Sequence, residues 1–223
     1  MGELRLVIFD VDGTLVDSLA HIKWAMSVAF DACDLPQPSE AAVRGIIGLS
    51  LPVAMDRLSP GLSDADLQAL VSAYGDSFRE RADERPEASF FPGALDAVKA
   101  LGAQDETLLA IATGKSRRGM DRILNAHGLG PAFQSVQVAD DHPSKPHPSM
   151  IETCLRETGV EADRAVIVGD TTFDLEMGRA AGVATIGVDW GYHDTCALRP
   201  LADHIITDFD GLSGALQRIW GQP

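Results

Sequence analysis

Positive charge is scarce in this sequence. Its 223 residues include 18 Lys and Arg against 33 Asp and Glu, which gives a formal net charge of −15 at pH 7. Nucleic acids and anionic membranes are negative themselves and would repel such a chain. We therefore expect no nucleic-acid partner and no membrane partner, and an anionic substrate would need cations placed locally.

Cysteines and long apolar runs are also few. Cys33, Cys154 and Cys196 are odd in number and far apart, which argues against a disulfide framework or a zinc cluster. No apolar run approaches the roughly 20 residues that cross a bilayer. The N-terminus goes through charged Glu3 and Arg5 directly into an apolar stretch, unlike a signal peptide. These absences predict a cytoplasmic protein.

The apolar pattern changes along the chain and predicts two structural units. Residues 18–85 have apolar positions at helical spacing, as in DSLAHIKWAMSVAFDAC, and no strand pattern. Elsewhere, helical stretches alternate with short apolar runs, which lie at 4–9, 107–114, 133–140, 164–170 and 183–189. This alternation is typical of a parallel sheet with helices on both faces. We predict an α/β, Rossmann-like core from residues 1–17 and 88–223, with an inserted all-helical cap at 18–87.

Acidic residues end several of the predicted strands, at the edge where ligands bind in such sheets. Asp10 and Asp12 follow the first strand in FDVDGTLVDS, and an extended backbone would point both carboxylates the same way. Their repulsion calls for a cation or a shared proton. Mg²⁺ prefers oxygen ligands, and Asp170 at another strand end would add a carboxylate. The alternative is that each Asp is an ordinary turn former.

Two other strand ends carry groups suited to phosphate. Thr113 and Gly114 precede a predicted helix near Ser116, so their hydroxyl and N–H groups would form an anion site, unless the pair is an ordinary turn or cap. Lys145 lies in the loop DDHPSKPHP, between prolines that stiffen it. This lysine is either a solvated surface charge or the cation that holds a phosphate against a nucleophile.

Together these groups predict phosphoryl transfer from a small-molecule phosphate ester. Asp10 would attack phosphorus to give an aspartyl phosphate. Asp12 would give a proton to the leaving oxygen and later take one from water. Thr113, Lys145 and Mg²⁺ would stabilise the charge on the phosphoryl oxygens.

Four motifs in order, DVDGTLVDS, IATGK, SKPHP and GDTTFD, resemble those of the haloacid dehalogenase superfamily. The similarity is to its phosphatase branch with a helical C1-type cap. It implies a phosphoric monoester hydrolase with Asp10 as nucleophile and Asp12 as acid and base, and with Thr113 and Lys145 holding the phosphate and the nucleophile. It also implies Mg²⁺ on Asp10, the backbone carbonyl of Asp12, and Asp170.

The resemblance leaves the roles of Asp174 and Arg44 open. Asp174 either binds metal through water, or orients Lys145, or is a favourable charge at a helix start. Arg44 is the one cation of the apolar stretch VRGIIGLSL, where caps of this family carry a substrate loop. It is either a contact to a substrate carboxylate or a surface charge.

The apolar stretch favours a small, weakly decorated ester such as phosphoglycolate. WGYHD also resembles the phosphoglycolate phosphatase group, although Trp190 and Tyr192 equally suit packing at a sheet edge. Two alternatives remain: a sugar phosphate mutase similar to β-phosphoglucomutase, and a catalytically silent phosphate-binding module. The expected assembly is a monomer or a homodimer.

Overall fold

The structure is a computed structural model that describes residues 3–80 and 88–221. The strands are β1 Arg5–Phe9, β2 Val16–Asp17, β3 Ser89–Phe90, β4 Thr107–Thr113, β5 Ser135–Val138, β6 Ala165–Gly169, β7 Ala184–Val188 and β8 His204–Ile206. The helices are α1 Leu19–Ala32, α2 Glu40–Arg44, α3 Leu51–Leu58, α4 Asp64–Glu80, α5 Ala94–Gly102, α6 Arg117–His127, α7 Ser149–Thr158, α8 Thr172–Ala180, α9 Thr195–Leu198 and α10 Asp210–Trp220.

Six strands form one parallel sheet in the order β5-β4-β1-β6-β7-β8. The first strand lies inside the sheet, where Val7 pairs with Leu109 on one side and with Val166 on the other. Its side chains alternate between two apolar clusters: Phe9 lies in one and Ile8 in the other. Both faces are therefore covered by helices, which confirms the predicted fold class.

All five predicted strands of the sheet are present, and three further strands were not predicted. The sixth strand of the sheet, β8, has three residues, and β2 and β3 have two each. Such short segments give no alternation of apolar and polar residues for a sequence pattern to detect. They extend the predicted architecture without changing it.

Helices α1 to α4 occupy the described part of the insert. Their apolar side chains, among them Met26 and Leu70, form a third cluster, which is completed by Phe173 and Tyr192 of the core. The chain leaves and re-enters the core through an antiparallel pair, in which Val16 lies opposite Phe90. The last part of the predicted cap, with its boundary at 87, lies outside the described residues. No described helix has the length and apolar character needed to cross a membrane.

Candidate active site

A buried lysine joins two of the predicted acids. Lys145 Nζ donates to Asp10 Oδ1 at 2.7 Å and to Asp174 Oδ1 at 2.6 Å, and all three side chains are buried. Burial lowers the pKa of Lys145, but the two carboxylates outweigh this effect and raise it. Lys145 is therefore a fixed internal cation, which rules out the interpretation as a solvated surface charge.

Asp174 is held in place by the start of helix α8. Its Oδ2 accepts hydrogen bonds from the N–H and the hydroxyl of Thr171, at 3.0 and 2.7 Å. The Thr171 hydroxyl in turn accepts from the Asp174 N–H, which completes a capping box. The carboxylate thus contacts both the start of α8 and Lys145. Two of the roles considered for Asp174, a favourable charge at a helix start and the orientation of Lys145, are therefore compatible in this arrangement.

Asp170 follows β6 and is fixed by two donors. The hydroxyl of Thr14 donates to Oδ1 at 3.0 Å, and the N–H of Tyr192 donates to Oδ2 at 2.8 Å. Gly13 makes this close packing possible: its φ is +92°, and a Cβ there would lie 2.2 Å from Asp170 Oδ2. The turn after β1 therefore shapes the surroundings of a carboxylate that is distant in sequence.

Three carboxylates converge at this edge of the sheet. Asp10, Asp170 and Asp174 each place one oxygen within 4.8 Å of the others. Beside the single ammonium of Lys145, three ionised carboxylates leave an excess of two negative charges. Burial, opposed by Lys145 and reinforced by Asp174, raises the pKa of Asp10 to about 7. Burial and the two neighbouring carboxylates likewise raise the pKa of Asp170.

The cluster fits a divalent cation such as Mg²⁺. Its donors are all carboxylate oxygens, and its excess charge equals that of one such ion. In addition, Asp10 Oδ2 is buried and has no hydrogen-bond partner among the described residues. A buried carboxylate oxygen without a partner is costly, and a cation held close to Asp10 would offset that cost electrostatically.

The side chain of Asp12 lies outside this cluster, contrary to the expectation that it would join Asp10 and Asp170. Its Oδ1 accepts from Lys115 Nζ at 2.9 Å and from the hydroxyl of Ser18. The reason is the backbone, which leaves the extended conformation after β1: the N–H groups of residues 14–16 all donate to the carbonyl of residue 11. Strand alternation therefore does not set the direction of Asp12.

The predicted phosphate loop follows β4, the neighbour of β1 in the sheet. Thr113 is buried, and its Oγ1 accepts the N–H of Lys115 at 3.2 Å. Helix α6 begins directly afterwards with Ser116 as N-cap, which agrees with the predicted helix start near Ser116. A Cβ on Gly114 would lie 2.5 Å from the carbonyl oxygen of Gly48, so only glycine allows the insert to approach this closely.

A cavity of about 830 Å³ lies between the insert and the sheet edge. Asp10, Asp12, Thr113 and Gly114 line it, so the structure brings four of the predicted site residues to one space. The insert contributes much of the apolar stretch VRGIIGLSL, through residues 46–49 and 51.

Arg44, by contrast, is not among the described residues that line the cavity. It lies in the last turn of α2 with 39% of its side chain exposed, and its Nε contacts Glu40 at 3.3 Å. Among the described residues, the Lys and Arg side chains that line the cavity are Lys115, Arg118 and Arg122, all from the core. The position of Arg44 outside the cavity could not be predicted from sequence spacing, because spacing does not show which side of a short helix faces the cavity.

The sequence analysis also missed several side chains around the predicted acids. Thr14, Ser18, Lys115 and Thr171 hold the carboxylates through their side chains, and Tyr192 holds Asp170 through its backbone N–H. Lys115 had a usable signal, because it directly follows the Thr-Gly pair of the phosphate loop, and Tyr192 lies in the stretch WGYHD that the sequence analysis noted without assigning it a contact to Asp170.

The comparison with known proteins agrees with this geometry. Residues 7–188 match the profile of the haloacid dehalogenase-like hydrolase family. The chain belongs to this family, and the predicted family and the prediction that it is a hydrolase are confirmed.

Among its relatives is a protein of Dickeya dadantii named probable phosphatase IndB, 38% identical over 214 residues that cover 94% of this chain and 92% of that protein. A phosphoglycolate phosphatase of Rhodospirillum rubrum is 34% identical over 84% of this chain and 80% of its own length. The crystal structure of a predicted phosphoglycolate phosphatase from Haemophilus somnus superposes with a TM-score of 0.84 at 26% identity, covering 97% of this chain and 100% of that one.

Proposed function

We propose that this protein is a Mg²⁺-dependent phosphatase that hydrolyses a small-molecule phosphate monoester through an aspartyl phosphate. The observation that carries the proposal is the state of Asp10. One oxygen of this buried carboxylate is held by Lys145, and the other has no partner among the described residues and belongs to a group that lines the cavity. An oriented carboxylate with one free oxygen is what nucleophilic attack on phosphorus requires.

The neighbouring groups divide the remaining chemistry. Asp10 Oδ2 forms the bond to phosphorus, and the ester oxygen leaves with a proton from Asp12. Asp12 then takes a proton from the water that attacks the aspartyl phosphate, which releases phosphate and restores Asp10. Lys145, the Thr113 hydroxyl and the backbone N–H of Gly114 hold the phosphoryl oxygens as their charge changes.

Mg²⁺ would be held by Asp10, Asp170 and the backbone carbonyl of Asp12, with Asp174 orienting Lys145. When bound, the ion shields the attacking carboxylate from the anionic phosphate. Lys145 cannot do this alone, because it is already shared between two carboxylates.

Residues 18–87 would act as a cap domain over the site, hinged at the short pair β2 and β3. Two contacts support this role: the close approach of Gly48 to Gly114, and the hydrogen bond from the Ser50 N–H to the hydroxyl of Ser144, beside Lys145. Closure over the substrate would exclude bulk water during the reaction. Because several relatives are named phosphoglycolate phosphatase, phosphoglycolate is the first ester to test.

The proposed function is tested by phosphate release with controlled metal content. We expect turnover with Mg²⁺, its loss to background in excess chelator, and its recovery when Mg²⁺ is restored, because the acidic cluster needs a divalent ion. Elemental analysis would check the removal of metal. Full turnover in metal-free protein would refute the metal site. Phosphate binding without turnover of any ester would instead favour the silent phosphate-binding module.

A second prediction concerns Thr14, whose hydroxyl holds Asp170. Thr14→Val keeps the shape but removes the donor, so Asp170 should be less well oriented for Mg²⁺. We expect the Mg²⁺ concentration for half-maximal activity to rise roughly 10- to 100-fold, the usual effect of losing a group that orients a ligand. The matched control is Thr153→Val, which removes a hydroxyl that contacts Arg156 on α7. Equal Mg²⁺ requirements in the two variants would contradict this role for Thr14.

A further inference from the structure

The cavity is larger than a two-carbon leaving group such as glycolate needs. Its volume of about 830 Å³ falls within the range of roughly 300–1,000 Å³ for sites that enclose drug-sized ligands. Its catalytic end lies at Asp10 and Thr113, where a phosphoryl group would sit. From there it extends along α1 and α4 to Trp24, Val71 and Phe78. Glycolate would leave most of this length unfilled.

The wall formed by the described residues of the insert is mostly apolar and partly aromatic, and its polar members include Ser18, His21, Ser72 and Ser77. The rings of Trp24 and Phe78 lie edge to face with their centroids 6.4 Å apart, and Tyr74 lies 5.4 Å from Phe78. Further lining side chains of the insert are Ile22, Met26, Ile46, Ile47, Leu49, Leu51, Ala54 and Val71. Aromatic rings arranged in this way offer edges and faces to another ring.

Among the described residues, the Asp, Lys and Arg side chains that line the cavity all lie on the opposite wall. Among the described residues of the insert, no Asp, Glu, Lys or Arg lines the cavity. Lys115, Arg118 and Arg122 all belong to the loop and helix that follow β4, the segment that carries the phosphate loop. A leaving group with many hydroxyls would bury most of them against apolar side chains, because the insert wall offers few hydrogen-bonding groups, and this burial is costly.

From the size of the cavity and the chemistry of its walls, we propose that the preferred substrate is a phosphate monoester whose leaving group carries an aromatic ring. This inference rests on the proposed phosphatase function and narrows its substrate class. The phosphoryl group lies at Asp10 and the core cations, and the ring lies against Phe78 and its aromatic neighbours on the insert.

The test compares phosphate esters whose leaving groups differ in size and aromaticity but are all primary alcohols. Ethyl, cyclohexylmethyl, benzyl and 2-naphthylmethyl phosphate all release primary alcohols, so the comparison excludes the advantage of a phenolate leaving group. We expect kcat/KM to rise roughly 10²-fold from ethyl to benzyl phosphate, an effect within reach of apolar pockets. We also expect benzyl phosphate to exceed both the cyclohexylmethyl ester and phosphoglycolate.

A variant then assigns the preference to the aromatic wall. Phe78→Leu keeps an apolar side chain but removes the ring, so the ratio of kcat/KM for benzyl over ethyl phosphate should fall roughly 3- to 10-fold. The matched control is Phe209→Leu, a change in the core cluster outside the cavity, which should preserve the ratio.

Three results would overturn the inference: equal kcat/KM across the series, a preference for phosphoglycolate over benzyl phosphate, or an unchanged ratio in Phe78→Leu. The first two leave the phosphatase proposal intact, because turnover is still observed. If no ester is hydrolysed with Mg²⁺ present, the phosphatase proposal itself fails, and the inference fails with it.

Discussion

Asp10→Asn should reduce phosphate release to background, a loss on the order of 10⁴- to 10⁶-fold in kcat, as expected when a nucleophile is removed. The amide has almost the same shape as the carboxylate, but its oxygen does not attack phosphorus. Steady-state assays with excess Mg²⁺ and protein purified free of wild-type enzyme would measure the loss.

The same variant should be at least as stable as the wild type when metal is absent. Asp10, Asp170 and Asp174 repel one another in a buried site that has one ammonium, and the amide removes one of the three charges. Thermal unfolding in chelator would therefore show an equal or higher Tm, and added Mg²⁺ should raise the Tm of Asp10→Asn less than that of the wild type. A lower Tm together with lost activity would point to a folding defect, and near wild-type turnover would exclude Asp10 as the nucleophile.

Asp12→Asn should lower kcat by roughly 10² to 10⁴ for esters with poor leaving groups, because the nucleophile remains but proton transfer is lost. The penalty should shrink for an ester such as 4-nitrophenyl phosphate, whose leaving group departs without a proton. A plot of the rate against the leaving-group pKa should therefore be steeper for the variant than for the wild type.

Asp189→Asn provides the control for Asp12, because Asp189 is also an acid at the end of a parallel strand but is exposed and does not line the cavity. It should behave as the wild type. If Asp12→Asn lost the same factor with every ester, its role would be to support the site through Lys115 and Ser18 rather than to transfer a proton.

The strands of the core were predictable because their burial is encoded locally. Val166, Ile167 and Val168 are fully buried, and such a run reads as a strand whatever lies next to it. In a parallel sheet the carboxyl ends of the strands share one edge, and this rule was enough to place Asp10, Thr113 and Asp170 at the same edge.

Features that depend on contacts across the fold were not predictable in this way. One of the two donors to Asp170 is Thr14, 156 residues away, and nothing near either residue indicates the other. The direction of Asp12 depends on a turn in which three N–H groups share one carbonyl, and the direction of Arg44 depends on how a five-residue helix is seated. Each is a consequence of packing rather than of periodicity.

The antiparallel pair between Val16 and Phe90 has a consequence for how such a protein can diversify. Paired strands lie about 4.8 Å apart, so the chain leaves the core and returns to it at nearly the same point. The distance that the intervening 73 residues must bridge is therefore no greater than the distance that a short loop would bridge. Insertions of this geometry are tolerated in many proteins. Selection for a new substrate could therefore replace or change this whole segment. The acids and the lysine that perform the chemistry lie outside it and would be conserved independently.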